Sequence, residues 1–156
     1  MTEYHIINGI GSENSELFII GEKPSQEDFI WNKPFSDIVG CYFKKILQNS
    51  NFNPYSTYMT YAIKNLKEKN PQKNILWSEL KKINPKVIIT LGTIPTGLIL
   101  RLPKNFKLQK YIGKLHTVDY INSKIYCWYS PNYLFQRGKS LENKTLEFFK
   151  EIRKNL

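Results

Sequence analysis

The chain has 156 residues, enough for one domain and too few for a second core. Its 23 Lys and Arg against 13 Asp and Glu give a net charge of +10, which favours a polyanionic partner such as nucleic acid. The longest apolar runs are too short to span a bilayer and the N-terminus lacks a secretory signal pattern, so we expect one intracellular domain, cytoplasmic or nucleoid-associated, with no membrane contact.

The cysteine and histidine content argues against a metal site. The only two cysteines, Cys41 and Cys127, form no CxxC pair, and the only two histidines, His5 and His116, are isolated. Neither a disulfide scaffold nor a four-cysteine zinc or iron-sulfur site can be built from these residues within one chain. We therefore expect two reduced thiols, no metal and no organic cofactor.

Predicted strands and helices alternate along the first half of the chain, because apolar, β-branched runs predict strands and helical periodicity predicts helices. In chain order these elements are a strand at 17–20 ending at Gly21, a helix at 38–49 capped by Ser36 or Asp37, a strand at 58–63, a solvated polar loop at 64–73 and a helix at 76–82.

The second half continues the alternation. It comprises a strand at 87–91 closing at Gly92, a helix at 93–102 with Pro95 in its first turn, an irregular basic segment at 104–113, a hairpin of 115–119 with 124–129, a loop from Ser130 and a helix at 141–156. The fold class is therefore α/β: three α/β/α layers around a central, largely parallel four-stranded sheet, in a single domain over residues 1–156.

The loops that follow Gly21, Tyr61, Gly92 and Ser130 come after predicted strands. The carboxyl ends of parallel strands meet at one edge of a sheet, where such folds bind ligands. We expect these four loops to share one crevice.

The segments around this crevice resemble a known family. The chain reads LFIIGEKPS at 17–25 and NKPFSDIVG at 32–40, followed by YMTYAIK at 58–64, INPKVIITLG at 83–92, IGKLH at 112–116 and SPNYL at 130–134. In order and spacing these segments resemble the family 4 uracil-DNA glycosylases, which carry Gly-Glu-x-Pro-Gly and Lys-Pro-Phe-x-Gly-x-x-Gly in the first motif. The resemblance covers about residues 7–154 and implies a uracil-DNA glycosylase-like fold.

The resemblance implies roles for residues of the first motif. Glu22 would orient water and offset positive charge on the sugar, the role that N-glycosidic bond cleavage needs from a carboxylate. The backbone after Gly21, at Glu22 and Lys23, would bind the carbonyl oxygen of the base, and Phe35 would stack on the extruded base. The alternatives are a solvated or capping carboxylate for Glu22 and core packing for Phe35.

Among the departures from the family pattern, two fall at positions that act on the base. Tyr61 stands where the family has an Asn that reads the uracil edge, and a tyrosine offers one hydroxyl instead of an amide donor and acceptor. Ser130 stands where the family has a catalytic His before Pro131, so it would assist with a neutral hydroxyl. The family's cluster cysteines are also missing, which implies a cluster-free form. Activity is then reduced, redirected or lost.

The segment after Ser130 would contact DNA. By resemblance, Pro131, Asn132 and Tyr133 form a loop from which Leu134 enters the duplex as a wedge. The alternative is that Leu134 and Phe135 pack beneath this loop. Five cationic residues are predicted to contact phosphates, namely Lys23, Lys110, Lys114, Arg137 and Lys139.

Three functional hypotheses follow from the sequence. The first is a monofunctional DNA glycosylase that hydrolyses the bond between deoxyribose and a flipped uracil or related damaged base. The second is a catalytically impaired DNA-binding or polymerase-associated accessory protein, with a replication protein as partner. The third is an interaction protein with an aromatic surface, since ten Tyr and three Trp also suit an interface. The sequence indicates no oligomeric state.

Overall fold

The secondary structure alternates strands and helices in the computed structural model, which describes residues 5–156. The strands are β1 (Leu17–Gly21), β2 (Tyr58–Tyr61), β3 (Val87–Leu91), β4 (Leu115–Val118) and β5 (Ile121–Trp128). The α-helices are α1 (Gln26–Trp31), α2 (Ile38–Asn49), α3 (Lys73–Ile83), α4 (Thr93–Leu100), α5 (Pro131–Arg137) and α6 (Lys139–Lys154), and a short 3₁₀ helix spans Leu108–Lys110.

The sheet has five strands in the order β2-β1-β3-β5-β4. The first four in this order are mutually parallel, and β4 pairs with β5 in antiparallel fashion at the edge. The predicted four-stranded sheet is therefore one strand short, because the hairpin strand joins the same sheet. The α/β class and the largely parallel arrangement are confirmed.

Helices cover both faces of the sheet, which is why its central strands are apolar on both sides. One face of β1 and β3 packs with Phe43 and Leu47 of α2 and Phe149 of α6. The other face packs with Leu76 of α3 and Ile99 of α4. The three-layer prediction is confirmed, and because β2, β1, β3 and β5 are parallel, the segments that follow them all start at the same carboxyl edge of the sheet.

Three local predictions need correction. The segments 26–31 and 131–137, predicted as loops, are short helices with N-caps at Ser25 and Ser130. Lys64, predicted in a solvated loop, is completely buried, and its Nζ lies 2.6 Å from Glu79 Oε1. Burial lowers the pKa of Lys64, while Glu79 acts in the opposite direction. Along residues 5–156, none of the helices combines the length and apolar content needed to cross a membrane.

Candidate active site

A small cavity lies at the carboxyl edge of the sheet, lined by the segment after β1, the start of α2, the last residue of β2 and the segment after β5. We call it the Phe35 cavity; its walls include the predicted site residues Gly21, Glu22, Lys23, Phe35, Tyr61 and Ser130. Pro131 and Asn132 complete the wall next to Ser130. The cavity measures about 70 Å³. At about 10–15 Å³ for each water, that is room for a few waters and far below the volume of a typical ligand pocket.

Glu22 is half-buried directly after β1, at the border of this cavity. The Ile94 N–H in the first turn of α4 donates to Glu22 Oε2 at 3.2 Å, so the carboxylate also caps that helix. Gly92 leaves space for it: its φ is +98°, and a Cβ there would lie 2.7 Å from Glu22 Oε2. The first turn of α4 thus holds Oε2 of Glu22 in place, while the side chain borders the Phe35 cavity.

Phe35 is buried between two other rings. The Tyr61 ring is stacked with it, 4.9 Å between centroids and 17° between planes, and the Phe43 ring lies at 5.8 Å and 29°. Phe35 itself is 2% exposed and has a positive φ of 57°. A base that stacks on Phe35 as the sequence predicts would need the space that the Tyr61 ring holds.

Tyr61 is fixed in this position by its hydroxyl. The hydroxyl donates to Asp28 and accepts the Phe35 N–H at 2.9 Å. Burial, with the Asp28 carboxylate as a further cause, raises the pKa of Tyr61 well above its usual value. Its only O–H donor is engaged, so Tyr61 does not present that donor to a base.

Asp28 is the residue of this site that sequence reasoning missed. It is 1% exposed and accepts from the N–H groups of Ser36 at 2.8 Å and Ser25 at 3.2 Å, as well as from Tyr61. Ser25 and Asp28 form a capping box at the start of α1. The spacing Ser-x-x-Asp was the available signal for the helix start, although it could not reveal the contact with Tyr61.

Ser130 is half-buried at the N-cap of α5. Its Oγ accepts the Tyr133 N–H at 3.3 Å, and Pro131 occupies the first turn, where its missing N–H costs nothing. Since Oγ is an acceptor in the cap, the O–H of Ser130 is available to donate. Ser130 and Glu22 border the same cavity from different strands.

The predicted wedge residue is wrong. Leu134 is completely buried on the core side of α5, because α5 is a helix and directs this position into the apolar layer with α2 and α6. The alternative of packing beneath the segment holds for Leu134, while Phe135 is 45% exposed. Asn132 and Arg137 are exposed on the same helix.

A second cavity also borders Glu22. It measures about 370 Å³, and its walls include Glu22 and Ser130, which it shares with the Phe35 cavity. We call it the Tyr133 cavity; its other walls include Thr93, Phe106, Lys107, Gln109 and Tyr133. The irregular segment 104–113 gave no sequence signal for Phe106 or Gln109, because no periodicity or motif marks them.

The predicted lysine contacts lie on the surface. Lys110 and Lys114 are exposed, and Lys114 Nζ donates to the Lys110 carbonyl at 3.0 Å. Lys23 and Lys139 are exposed as well, and Lys139 Nζ lies 3.2 Å from Glu142 Oε2. Lys23 borders the Phe35 cavity and Lys107 borders the Tyr133 cavity, which gives each a cation at its wall.

The residues of the chain do not fit an iron-sulfur cluster. Cys41 is exposed on α2, whereas Cys127 is buried in β5, where burial raises the pKa of its thiol. Such a cluster needs four thiolates in most proteins, and this chain has two cysteines in separate layers. Over residues 5–156, no group of three or more His, Cys, Asp or Glu side chains is arranged to hold a metal ion.

The fold and the site define a class: three-layer α/β/α proteins with a carboxylate at the carboxyl edge of a parallel sheet, beside two cavities. The chain belongs to the uracil DNA glycosylase superfamily, whose family model matches residues 8–156. This membership confirms the family resemblance of the sequence motifs.

Three curated relatives carry the description type-4 uracil-DNA glycosylase. The chain is 24% identical to the protein of Archaeoglobus fulgidus over 134 residues, 80% of this chain and 63% of that protein. It is 23% identical to the Thermotoga maritima protein over 92% of this chain and 79% of that protein. It is 25% identical to the Saccharolobus solfataricus protein over 78% of this chain and 57% of that protein. The chain thus spans less than two thirds of two of these relatives.

Proposed function

We propose that this protein is a DNA glycosylase that hydrolyses the N-glycosidic bond of uracil or a related damaged base flipped out of DNA. The position of Glu22 is the observation that carries this proposal. Its carboxylate borders two cavities at the ligand-binding edge of the sheet, directly after the strand that carries the family motif. The relatives named type-4 uracil-DNA glycosylase and the net charge of +10 support DNA as the substrate.

The proposed reaction needs water and no other co-reactant. The bond between the sugar C1′ and the base nitrogen breaks with its electron pair going to the base, and positive charge develops on the sugar. Glu22 offsets that charge and orients the water whose oxygen bonds to C1′. The proton released from water balances the negative charge on the departing base. The products are a free base and an abasic deoxyribose.

Ser130 is proposed to donate its O–H to a carbonyl oxygen of the departing base. Its Oγ is already oriented as the N-cap of α5, which leaves the hydroxyl proton for a ligand in either cavity. The backbone N–H groups at Glu22 and Lys23 are proposed to bind a base oxygen in the same way. These donors stabilise negative charge as the bond breaks.

Tyr61 is proposed to restrict which base is accepted. Because the Tyr61 ring covers a face of Phe35, a base can stack there only after this ring moves away. That movement breaks the hydrogen bonds of the Tyr61 hydroxyl with Asp28 and Phe35. We therefore propose that uracil is excised slowly. We also propose that the set of bases this protein accepts differs from the set accepted by a glycosylase with asparagine at this position.

The test is release of bases from DNA by the purified protein, measured as strand cleavage at the resulting abasic sites. The substrates are single- and double-stranded oligonucleotides that carry uracil, hypoxanthine, xanthine or other deaminated bases. Glu22→Gln keeps the shape and removes the charge, and we expect base release to fall about 10²- to 10⁴-fold. Glu16→Gln is the matched control, since Glu16 is exposed at the opposite end of β1. No release from any substrate by the wild-type protein would refute the proposal.

The small volume of the Phe35 cavity favours a second candidate, the catalytically impaired DNA-binding or polymerase-associated accessory protein. In this case Tyr61 permanently occupies the base position. The comparisons with relatives give this candidate no support of their own. It predicts DNA affinity that falls with salt, with a log-log slope of about −0.9 for each phosphate contacted, and no base release. Either candidate acts on DNA inside the cell.

A further inference from the structure

The Tyr133 cavity combines the three kinds of groups that hold a nucleotide. Tyr133 and Phe106 supply aromatic rings, Thr93 and Gln109 supply hydroxyl and amide groups, and Lys107 supplies a cation. Aromatic rings bind bases by stacking, amides hydrogen-bond to base edges and lysines pair with phosphates. The volume of about 370 Å³ falls within the range of about 300–1,000 Å³ that ligand pockets show.

We propose that this cavity is a second nucleotide subsite, which binds the nucleotide adjacent to the one whose base is released. The base of that neighbour contacts Tyr133 and Phe106, its edge faces Gln109, and its phosphate lies at Lys107. This inference rests on the proposed function, because it takes the carboxyl edge of the sheet as the place where DNA binds.

The two cavities are close enough to serve consecutive nucleotides of one strand. They share Glu22 and Ser130, so no further layer of protein lies between them. A strand that brings one sugar to Glu22 must carry the next nucleotide over one side or the other of this carboxylate. Besides the Phe35 cavity, the Tyr133 cavity is a space at this carboxylate that can receive it.

The aromatic walls are held in place by their own contacts. The Tyr133 ring is stacked on the Tyr129 ring at 4.8 Å and 19°, and Tyr129 in turn contacts Trp128 edge-on at 5.3 Å. The Arg137 guanidinium lies over the Tyr133 ring, 4.8 Å from its centroid, so a base contacts this ring at its edge or takes the place of Arg137 on its face. Phe106 packs edge-on against Tyr111 at 5.7 Å. A subsite built from rings fixed in this way loses little entropy on binding.

The test measures whether one flanking base contributes to DNA affinity through these rings. Single-stranded oligonucleotides carry a central 2′-fluoro-2′-deoxyuridine, which resists hydrolysis because the fluorine destabilises positive charge at C1′. One flanking position at a time is replaced by an abasic residue, and the dissociation constants are measured by fluorescence anisotropy at low salt. For the wild-type protein we expect one flanking position at which loss of the base weakens binding about 5- to 150-fold.

The variants assign that sensitivity to the cavity. Tyr133→Leu and Phe106→Leu keep apolar volume and remove the aromatic face. In each variant, the dissociation constants of the oligonucleotides with and without that flanking base should differ less than they do in the wild-type protein. Tyr133→Phe should keep the wild-type sensitivity. Tyr55→Leu is the matched control, because Tyr55 is an exposed tyrosine that borders neither cavity. Circular dichroism of each variant, together with the unchanged sensitivity of Tyr133→Phe, separates misfolding from loss of the subsite.

The outcomes separate this inference from the proposed function. If the wild-type protein releases a base but loses no affinity at any flanking position, the subsite is refuted and the glycosylase proposal stands. If a flanking base matters and Tyr133→Leu and Phe106→Leu abolish that dependence, while no base is ever released, the subsite stands and the glycosylase proposal fails. Equal sensitivity in wild type, Tyr133→Leu and Phe106→Leu also refutes the subsite.

Discussion

The two cavities that flank Glu22 differ in how they are built. The Phe35 cavity holds about 70 Å³ and is closed by a buried tyrosine whose hydroxyl is satisfied on both sides. The Tyr133 cavity holds about 370 Å³, and two exposed side chains, Lys107 and Gln109, stand in its wall. The same carboxylate therefore borders a small space whose Phe35 face is closed to a base by Tyr61 and a larger space without such a ring on Phe35, which we call the closed and the open cavity.

The residues that carry the family motifs and the residues that line the larger cavity come mostly from different segments of the sequence. The closed cavity is made from the segments that resemble the family, including Gly21, Glu22 and Phe35. The open cavity draws Phe106 and Gln109 from a segment with no recognisable motif. One bulky residue, Tyr61, accounts for much of the contrast, because its ring lies against Phe35 where the family resemblance places a base.

Replacing Tyr61 should give the largest effect on the closed cavity. Tyr61→Asn removes a buried ring, so we expect the free energy of unfolding, measured by urea titration, to fall by about 3–5 kcal/mol. The same change opens the Phe35 face, and we expect uracil release to rise above the wild-type rate when both are assayed at a temperature where the variant is folded.

Tyr61→Phe is the control for that experiment. It keeps the ring in the cavity and removes only the hydroxyl, which leaves Asp28 and the Phe35 N–H each without one partner. We expect a loss of about 1–3 kcal/mol in unfolding free energy and a smaller gain in uracil release than Tyr61→Asn gives, because the ring stays in place while the hydrogen bonds that hold it are gone. Equal rates for wild type and a folded Tyr61→Asn would show that the ring is no barrier to the base.

Much of the fold could be predicted because its signals are local. The runs at 17–20 and 87–91 are rich in apolar residues without polar alternation, which predicts strands buried on both faces. Each run is followed by a glycine turn. Alternation with helices then restricts the topology to a parallel sheet with its loops on one edge. The position of Glu22, Phe35 and Ser130 around one cavity follows from that topology.

The details that escaped prediction depend on contacts between distant residues. Lys64 looks solvated in its polar segment, but Glu79 lies within 2.6 Å and makes burial of its charge tolerable. Tyr61 meets Asp28, 33 positions away, through a capping box that by itself predicts only the start of a helix. The resemblance alone suggests a wedge role for Leu134, whereas Ser130 and Pro131 match the start of a helix that directs Leu134 into the core.

Ser130 allows both cavities to be tested with one residue. Ser130→Ala removes the N-cap of α5, so we expect a loss of about 1 kcal/mol in unfolding free energy. It also removes the proposed donor to the base oxygen, and we expect base release to fall about 10²-fold. Ser130→Thr keeps a hydroxyl and should retain both the stability and most of the rate. A rate unaffected by Ser130→Ala would confine this residue to its structural role.

Gly97 tests the open cavity alone, with the smallest expected effect. A Cβ at this position of α4 would lie 2.8 Å from Phe106 Cε1, so Gly97→Ala must displace the ring that lines the Tyr133 cavity. Alanine is favoured over glycine in a helix by about 0.5–1 kcal/mol. In the wild-type background we expect this gain to be offset by the displaced ring, leaving the free energy of unfolding nearly unchanged.

In a Phe106→Ala background the ring is gone, and the same Gly97→Ala substitution should stabilise the protein by the full 0.5–1 kcal/mol or so. The difference between the two backgrounds, measured by urea unfolding, is the coupling energy of Gly97 with Phe106. Uracil release should not respond to Gly97→Ala if the Phe35 cavity alone receives the target base, whereas the dependence on the flanking base should weaken. If the coupling energy is zero and the dependence of DNA affinity on the flanking base is unchanged, the contact of Phe106 with α4 does not set the shape of the Tyr133 cavity.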